Sequence, residues 1–138
     1  MSQGKSVGAI IKNEKGEYLV QYRLREPVGL AMPAGHIDDG ESPEEALGRE
    51  LLEETGIGME SAKLVFHGYI ENNPCGSGHT GHDWWAYEVV AKGVPELKEP
   101  AEHKFVRFMP LAEMRPYIEN RDYDSAWFEH ILPSLGII

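Results

Sequence analysis

Residues 42–57 constrain this chain most tightly: Ser42-Pro-Glu-Glu-Ala-Leu-Gly-Arg49-Glu50-Leu-Leu-Glu53-Glu54-Thr-Gly56-Ile57. Ser42 suits an N-cap, Pro43 suits the first helical position, and Glu45 stands three residues after the cap, which completes a capping box. Gly56 is a natural C-terminal stop. The stretch therefore predicts one helix from Pro43 to Thr55. Gly48 weakens that helix by about 1 kcal/mol relative to alanine. At about 100° per residue, Glu50, Glu53 and Glu54 share an arc of roughly 100°. Leu47, Leu51 and Leu52 lie mainly on another side and are expected to face a core. Three carboxylates on one face repel one another and crowd the negative end of the helix dipole. Local stability does not explain that placement. A hard divalent cation does, because it takes oxygen ligands and tolerates clustered negative charge.

The context reinforces the cation. Residues 35–57 match the pattern G-x5-E-x7-R-E-U-x-E-E-x-G-U, where U is a bulky aliphatic residue, at Gly35, Glu41, Arg49, Glu50, Leu51, Glu53, Glu54, Gly56 and Ile57. This resembles the signature of the Nudix hydrolases. The resemblance implies a Nudix-type α/β/α sandwich with a mixed central sheet and a loop–helix–loop catalytic motif. It also implies metal ligation by Glu50, Glu53, Glu54 and the backbone carbonyl of Gly35, with Mg²⁺ as the cofactor and Mn²⁺ as a substitute. Arg49 and Glu41 are expected to pair and to orient the ligands. In members of the family the general base is a glutamate of the motif or one in the loop before the late strand. Glu53 and Glu54 are the candidates of the first kind. Glu96, Glu99 and Glu102 are those of the second, and the run Glu99-Pro-Ala-Glu102 favours Glu102.

The rest of the chain reads as an α/β protein. The runs 6–12 and 17–24, the second alternating, flank the turn Asn13-Glu-Lys-Gly16 and are expected to form a β-hairpin. Short strands are expected at 30–33, 61–71, 84–91 and 104–109. A turn of helix is expected at 110–114, and a helix at 124–132 ended by Pro133. With 138 residues and no repeat or linker, one domain over 1–138 is expected.

Thirteen basic against 23 acidic residues leave a net charge of −10, which argues against a nucleic-acid polymer or an anionic membrane as partner. An anionic substrate then needs local help. Arg23 and Arg25 are candidates for phosphate contact, and Trp84, Trp85 and Tyr87 for stacking on a base. His79, His82 and Asp83 lack the partners and spacing of a zinc site. One cysteine, Cys75, excludes an internal disulfide framework, and no run has the length of a transmembrane helix, so a cytoplasmic location is expected. The expected partner is a small nucleotide-type substrate, with the chain as monomer or homodimer. The reaction implied is hydrolysis of a phosphoanhydride in a nucleoside diphosphate linked to another moiety: a nucleoside triphosphate, nucleotide sugar, ADP-ribose or dinucleoside polyphosphate. Compact members similar in length favour triphosphates or dinucleoside polyphosphates. The rival is a Nudix-like binding or regulatory domain without turnover, against which the intact carboxylate set argues.

Overall fold

The computed structural model of the chain describes residues 4–71 and 81–138. Seven strands form two sheets. The first has four strands, in the order β4 (Ala34–His36), β1 (Gly4–Ile10), β6 (His82–Lys92), β5 (Gly58–Ile70). The second has three, in the order β3 (Gly29–Ala31), β2 (Tyr18–Arg23), β7 (His103–Met109). β1 and β6 run parallel and the other pairs antiparallel, so the architecture is mixed.

The hairpin expected at the start of the chain is confined to its turn. Lys12 bridges Tyr18, and Leu19 N–H donates to the Ile11 carbonyl at 2.9 Å, but β1 and β2 then part into different sheets. Both edges of β1 are already taken, by β4 and by β6, so β2 finds its partners elsewhere. The single strand expected at 30–33 is likewise divided. The chain leaves the three-stranded sheet after Ala31 and enters the four-stranded sheet at Ala34. That crossing delivers Gly35 to the end of the helix motif.

α1 spans Pro43–Thr55 as its caps predict. The Ser42 hydroxyl accepts from the Glu45 amide and the Glu45 carboxylate accepts from the Ser42 amide. Gly56 stops the helix in the left-handed region, at φ 75°, which a glycine adopts without a Cβ penalty. Ala46, Leu47 and Leu51 pack with Val7, Ala9, Ile11 and Leu19. Leu52 corrects the expectation: it is 56% exposed. It lies about 140° round the helix from Leu47, which puts it on the solvent side.

The opposite face is covered by the C-terminal segment. α2 (Leu111–Glu119) continues past Met114, where a stop was expected, with Pro116 inside it. Proline there removes one hydrogen bond from the helix interior, and buried Met114 with partly buried Tyr117 and Ile118 offset the loss. The helix expected at 124–132 is a wide π turn over Ala126–Ile131, followed by α3 (Leu132–Ser134), so the helical path runs through Pro133. Pro133 has no N–H for a regular i→i−4 bond, and the Leu132 amide reaches back to Trp127 instead. Trp127 is fully buried, edge-on to Trp84 and directly over Gly8 of β1. Helix, sheet and helix make the α/β/α sandwich. No helix among the described residues is long and apolar enough to cross a membrane.

A Cβ at position 8 would overlap the Trp127 ring. Gly8→Val is therefore expected to destabilise the fold by about 2 kcal/mol or more, read from the urea midpoint. A midpoint within error of the parent would show that Trp127 does not need the space.

Candidate functional site

α1 lies against β1, β4 and β5 and brings its carboxylates to the sheet edge. Glu54 stands seven residues after Leu47 and three after Leu51, so it falls on the buried stripe of the helix. It is only 6% exposed. Its Oε1 accepts from Gln21 Nε2 at 3.1 Å and from the Ala34 amide at 3.3 Å. Burial first, and the neighbouring Glu50 second, push its carboxyl well above the usual carboxylate range. Glu50 is also raised by burial, against the pull of the Arg49 guanidinium. A Cβ on Gly35 would overlap the Glu50 carboxylate, so only glycine lets β4 and α1 approach this closely.

Arg49 organises the acidic groups around it. Its Nε and Nη2 donate to both oxygens of Glu41, at 2.8 and 2.9 Å, the bidentate geometry in which a guanidinium holds a carboxylate best. Nη1 reaches Glu50 at 3.0 Å and Glu53 at 3.3 Å. Nη2 also donates to the His36 carbonyl at 3.1 Å and lies 3.3 Å from Asp38. The hydrogen bond from Arg49 holds the Glu41 carboxyl below its ordinary range. One arginine thereby ties the loop before α1, the strand β4 and two of the three helix glutamates together.

The expected metal trio is divided in this arrangement. Glu50 and Glu54 converge beside Gly35, whereas Glu53 is 51% exposed and turned to Arg49. Among the described residues, no three carboxylate or imidazole groups surround a common point. The Glu50–Glu54 pair fits a hard divalent cation by its chemistry. Two oxygen-donor groups are pressed together where burial disfavours ionisation of both and the Glu50 charge adds to the cost at Glu54, and a cation relieves both costs. Glu50, Glu54 and the Gly35 carbonyl would hold such an ion.

A cleft of about 470 Å³ opens from this pair. Arg23, Arg25, Gly35, Glu50, Glu54, Trp84, Glu99 and Glu102 all line it. Arg23 donates to the carbonyls of Pro27 at 2.8 Å and Glu26 at 3.4 Å and so shapes the rim. Arg25 pairs with Glu102 at 3.3 Å across the opening. The loop carrying Glu99 and Glu102 is pinned to the end of α1, where the Glu96 amide donates to the Thr55 carbonyl at 2.9 Å and the Lys98 stem covers Gly56. The Glu99 carboxyl is raised by burial, then by Glu102 and Glu53. Trp84 reaches the cleft but is nearly buried against Trp127. Trp85 is not brought into the cleft. Successive strand residues face opposite ways, and Trp85 stacks on His67 with centroids 4.4 Å apart on the α1 side of the sheet. Tyr87 is buried on that same side. His82 is buried in the cleft wall, stacked on His36. His79 and Cys75 fall in 72–80, outside the described residues.

Sequence reasoning missed Gln21, Ser6, His36, His103 and Asp124 at this site. Gln21 alone carried a signal, as a polar residue between Val20 and Tyr22 in an otherwise apolar strand. His103 is 3% exposed, and burial, then the Arg23 charge, push its imidazole down to about 4. The folded-state value lies below the unfolded value near 6.5, so the folded chain holds His103 neutral while the unfolded chain takes up a proton. Its contribution is complete above about pH 6.5 and is lost as pH falls towards 4, on the order of 3 kcal/mol in all. Denaturant melts from pH 7 to 4 should show His103→Gln losing less stability than the parent over that window. Parallel pH profiles for the two would refute a neutral buried imidazole.

Comparison with known proteins agrees with the site. A family model described as NUDIX domain matches residues 2–131. An RNA pyrophosphohydrolase of Cereibacter sphaeroides is 45% identical over 60 residues, which cover 43% of this chain and 37% of the relative. One of Roseobacter denitrificans is 34% identical over 92 residues, 66% of this chain and 49% of the relative. The matched stretch thus spans half or less of the length of either curated relative. Among solved structures, a MutT NUDIX hydrolase from Burkholderia pseudomallei superposes with a TM-score of 0.70 at 28% identity, covering 81% of this chain and 86% of that one. With the motif of 35–57 folded against Gly35 and a family match over nearly its whole length, the chain belongs to the NUDIX domain family.

Proposed function

We propose that this chain, as one domain over 1–138, is a Mg²⁺-dependent hydrolase of a phosphoanhydride bond in a small nucleotide-type substrate, a nucleoside diphosphate linked to another moiety. The observation that carries the reading is the Glu50–Glu54 pair, Glu54 buried and Glu50 largely so, in the lining of a cleft that Arg23 and Arg25 also line. The protein is strongly acidic, so those two arginines and a cation are what would draw a polyphosphate inward. A bound Mg²⁺ supplies positive charge against the phosphate oxygens and eases loss of a proton from water.

The chain's own groups divide the remaining work. Glu50 and Glu54 would hold the cation, and Arg49 keeps Glu50 aimed while itself anchored on Glu41. Glu53, 3.3 Å from Arg49 in this structure, would serve as a further ligand. Arg25 leaves Glu102 for substrate phosphate, a swap of one exposed ion pair for another that costs little. The carboxylate so released takes the proton from the attacking water. RNA, named in the curated relatives, belongs in the substrate panel beside nucleoside triphosphates, nucleotide sugars, ADP-ribose and dinucleoside polyphosphates.

Release of phosphate or pyrophosphate from that panel should stop with a chelator and return with Mg²⁺. Glu50→Gln and Glu54→Gln should each lower kcat by more than about 100-fold, since even groups that only orient ligands cost 10- to 100-fold. Turnover unaffected by chelation, or full activity in Glu53→Gln, would overturn the mechanism.

A further inference from the structure

We infer that Gln21, on β2 and outside the 35–57 motif, is a positioning residue that holds Glu54 in the orientation from which it ligates the cation. This rests on the assignment of Glu54 as a ligand. Gln21 is fully buried, and its Nε2 donates to Glu54 Oε1 at 3.1 Å across 33 residues of sequence. The contact adds a polar tie between the three-stranded sheet and α1, which also meet through apolar packing at Leu19. The β2–β7 register shifts between Gln21 and Arg23. Irregularities of this kind re-aim side chains next to active sites.

The other half of the amide marks its purpose. Gln21 Oε1 is buried and has no partner among the described residues. An unpaired buried acceptor works against folding, and an apolar side chain of the same size would pack there without that cost. Gln21 is thus a poor choice for stability alone. What it adds is a donor fixed, together with the Ala34 amide, on Oε1 of Glu54, so that neither of them takes up the other oxygen. Donors that orient metal-binding carboxylates act in this way, and their loss weakens metal binding although they never touch the ion.

The experiment compares the parent, Gln21→Met, Gln21→Asn and Glu54→Gln as intact chains. Mn²⁺ affinity is measured by calorimetry and the melting temperature in chelator. Gln21→Met should melt at or above the parent without metal, yet bind Mn²⁺ about 10- to 100-fold more weakly. Its kcat should fall while KM changes little. Gln21→Asn keeps a buried amide but withdraws it from Glu54, so it should lose affinity in the same way and replaces Gln21→Met if that chain does not fold. If Gln21→Met keeps Mn²⁺ affinity within about twofold while Glu54→Gln loses it, the role given to Gln21 is wrong and the ligand stands. If Glu54→Gln also binds normally, the ligand assignment itself fails. A lower melting temperature with unchanged Mn²⁺ affinity would mark Gln21 as packing only and overturn the inference.

Discussion

Burial of the Glu50 and Glu54 carboxylates against the Gly35 backbone is the constraint on which the rest of this molecule turns. Desolvation raises both groups and the Glu50 charge raises Glu54 further, so the contact is unfavourable unless something positive or a proton is present. Everything around it holds the pair in place. The capping box starts α1 at a set point, and Gly35 admits the Glu50 carboxylate where any side chain would exclude it. Arg49 spans Glu41, Glu50, Glu53, Asp38 and the His36 carbonyl and so prevents the loop before the helix from relaxing outward. The stability given up at this point is recovered in the packing of Leu47 and Leu51 on β1 and of Trp127 on Gly8.

Division of the strands into two sheets has a functional consequence. A hairpin of β1 and β2 would have placed Gln21 and Arg23 within one layer. Because β1 is occupied on both edges, β2 joins β3 and β7, and the two sheets diverge around the cleft. Arg23 and Arg25 then stand opposite the acidic helix instead of beside it. The loop before β7 closes the remaining side, fixed at one end to Thr55 and at the other by the Leu24 amide on the Glu102 carbonyl at 2.9 Å. The Glu50–Glu54 pair lies beside the four-stranded sheet, the arginine rim and the end of the acidic loop belong to the three-stranded one, and they meet at this opening.

Much of the fold was legible locally. Caps and a stop glycine are read within a few residues, and α1 has the bounds they dictate. The shared face of Glu50, Glu53 and Glu54 was legible too, since three positions on a helix of known bounds fix their arc. Glu54 could even have been placed inside, because it shares the stripe of Leu47 and Leu51. Leu52 and Trp85 were misplaced because residue type was weighed over angle: one lies across the helix from the core stripe, the other points away from its neighbour Trp84. The run of helix through Pro116 and Pro133 was hidden for a related reason. Proline reports a local penalty, and only the surrounding core shows whether packing outweighs it.

The sequence by itself determined the motif helix, its acidic face and the family, because those depend on residues close together along the chain. Only the tertiary structure decided which glutamates meet. Glu50 and Glu54 converge while Glu53 turns outward, since that outcome depends on the β4 edge packed against the helix and on where Arg49 of the same helix carries its guanidinium. It also decided that Gln21, far away in sequence, donates to Glu54. Hydrogen bonds across two sheets follow from how layers stack, and stacking depends on which strand edges remain open once the others have paired.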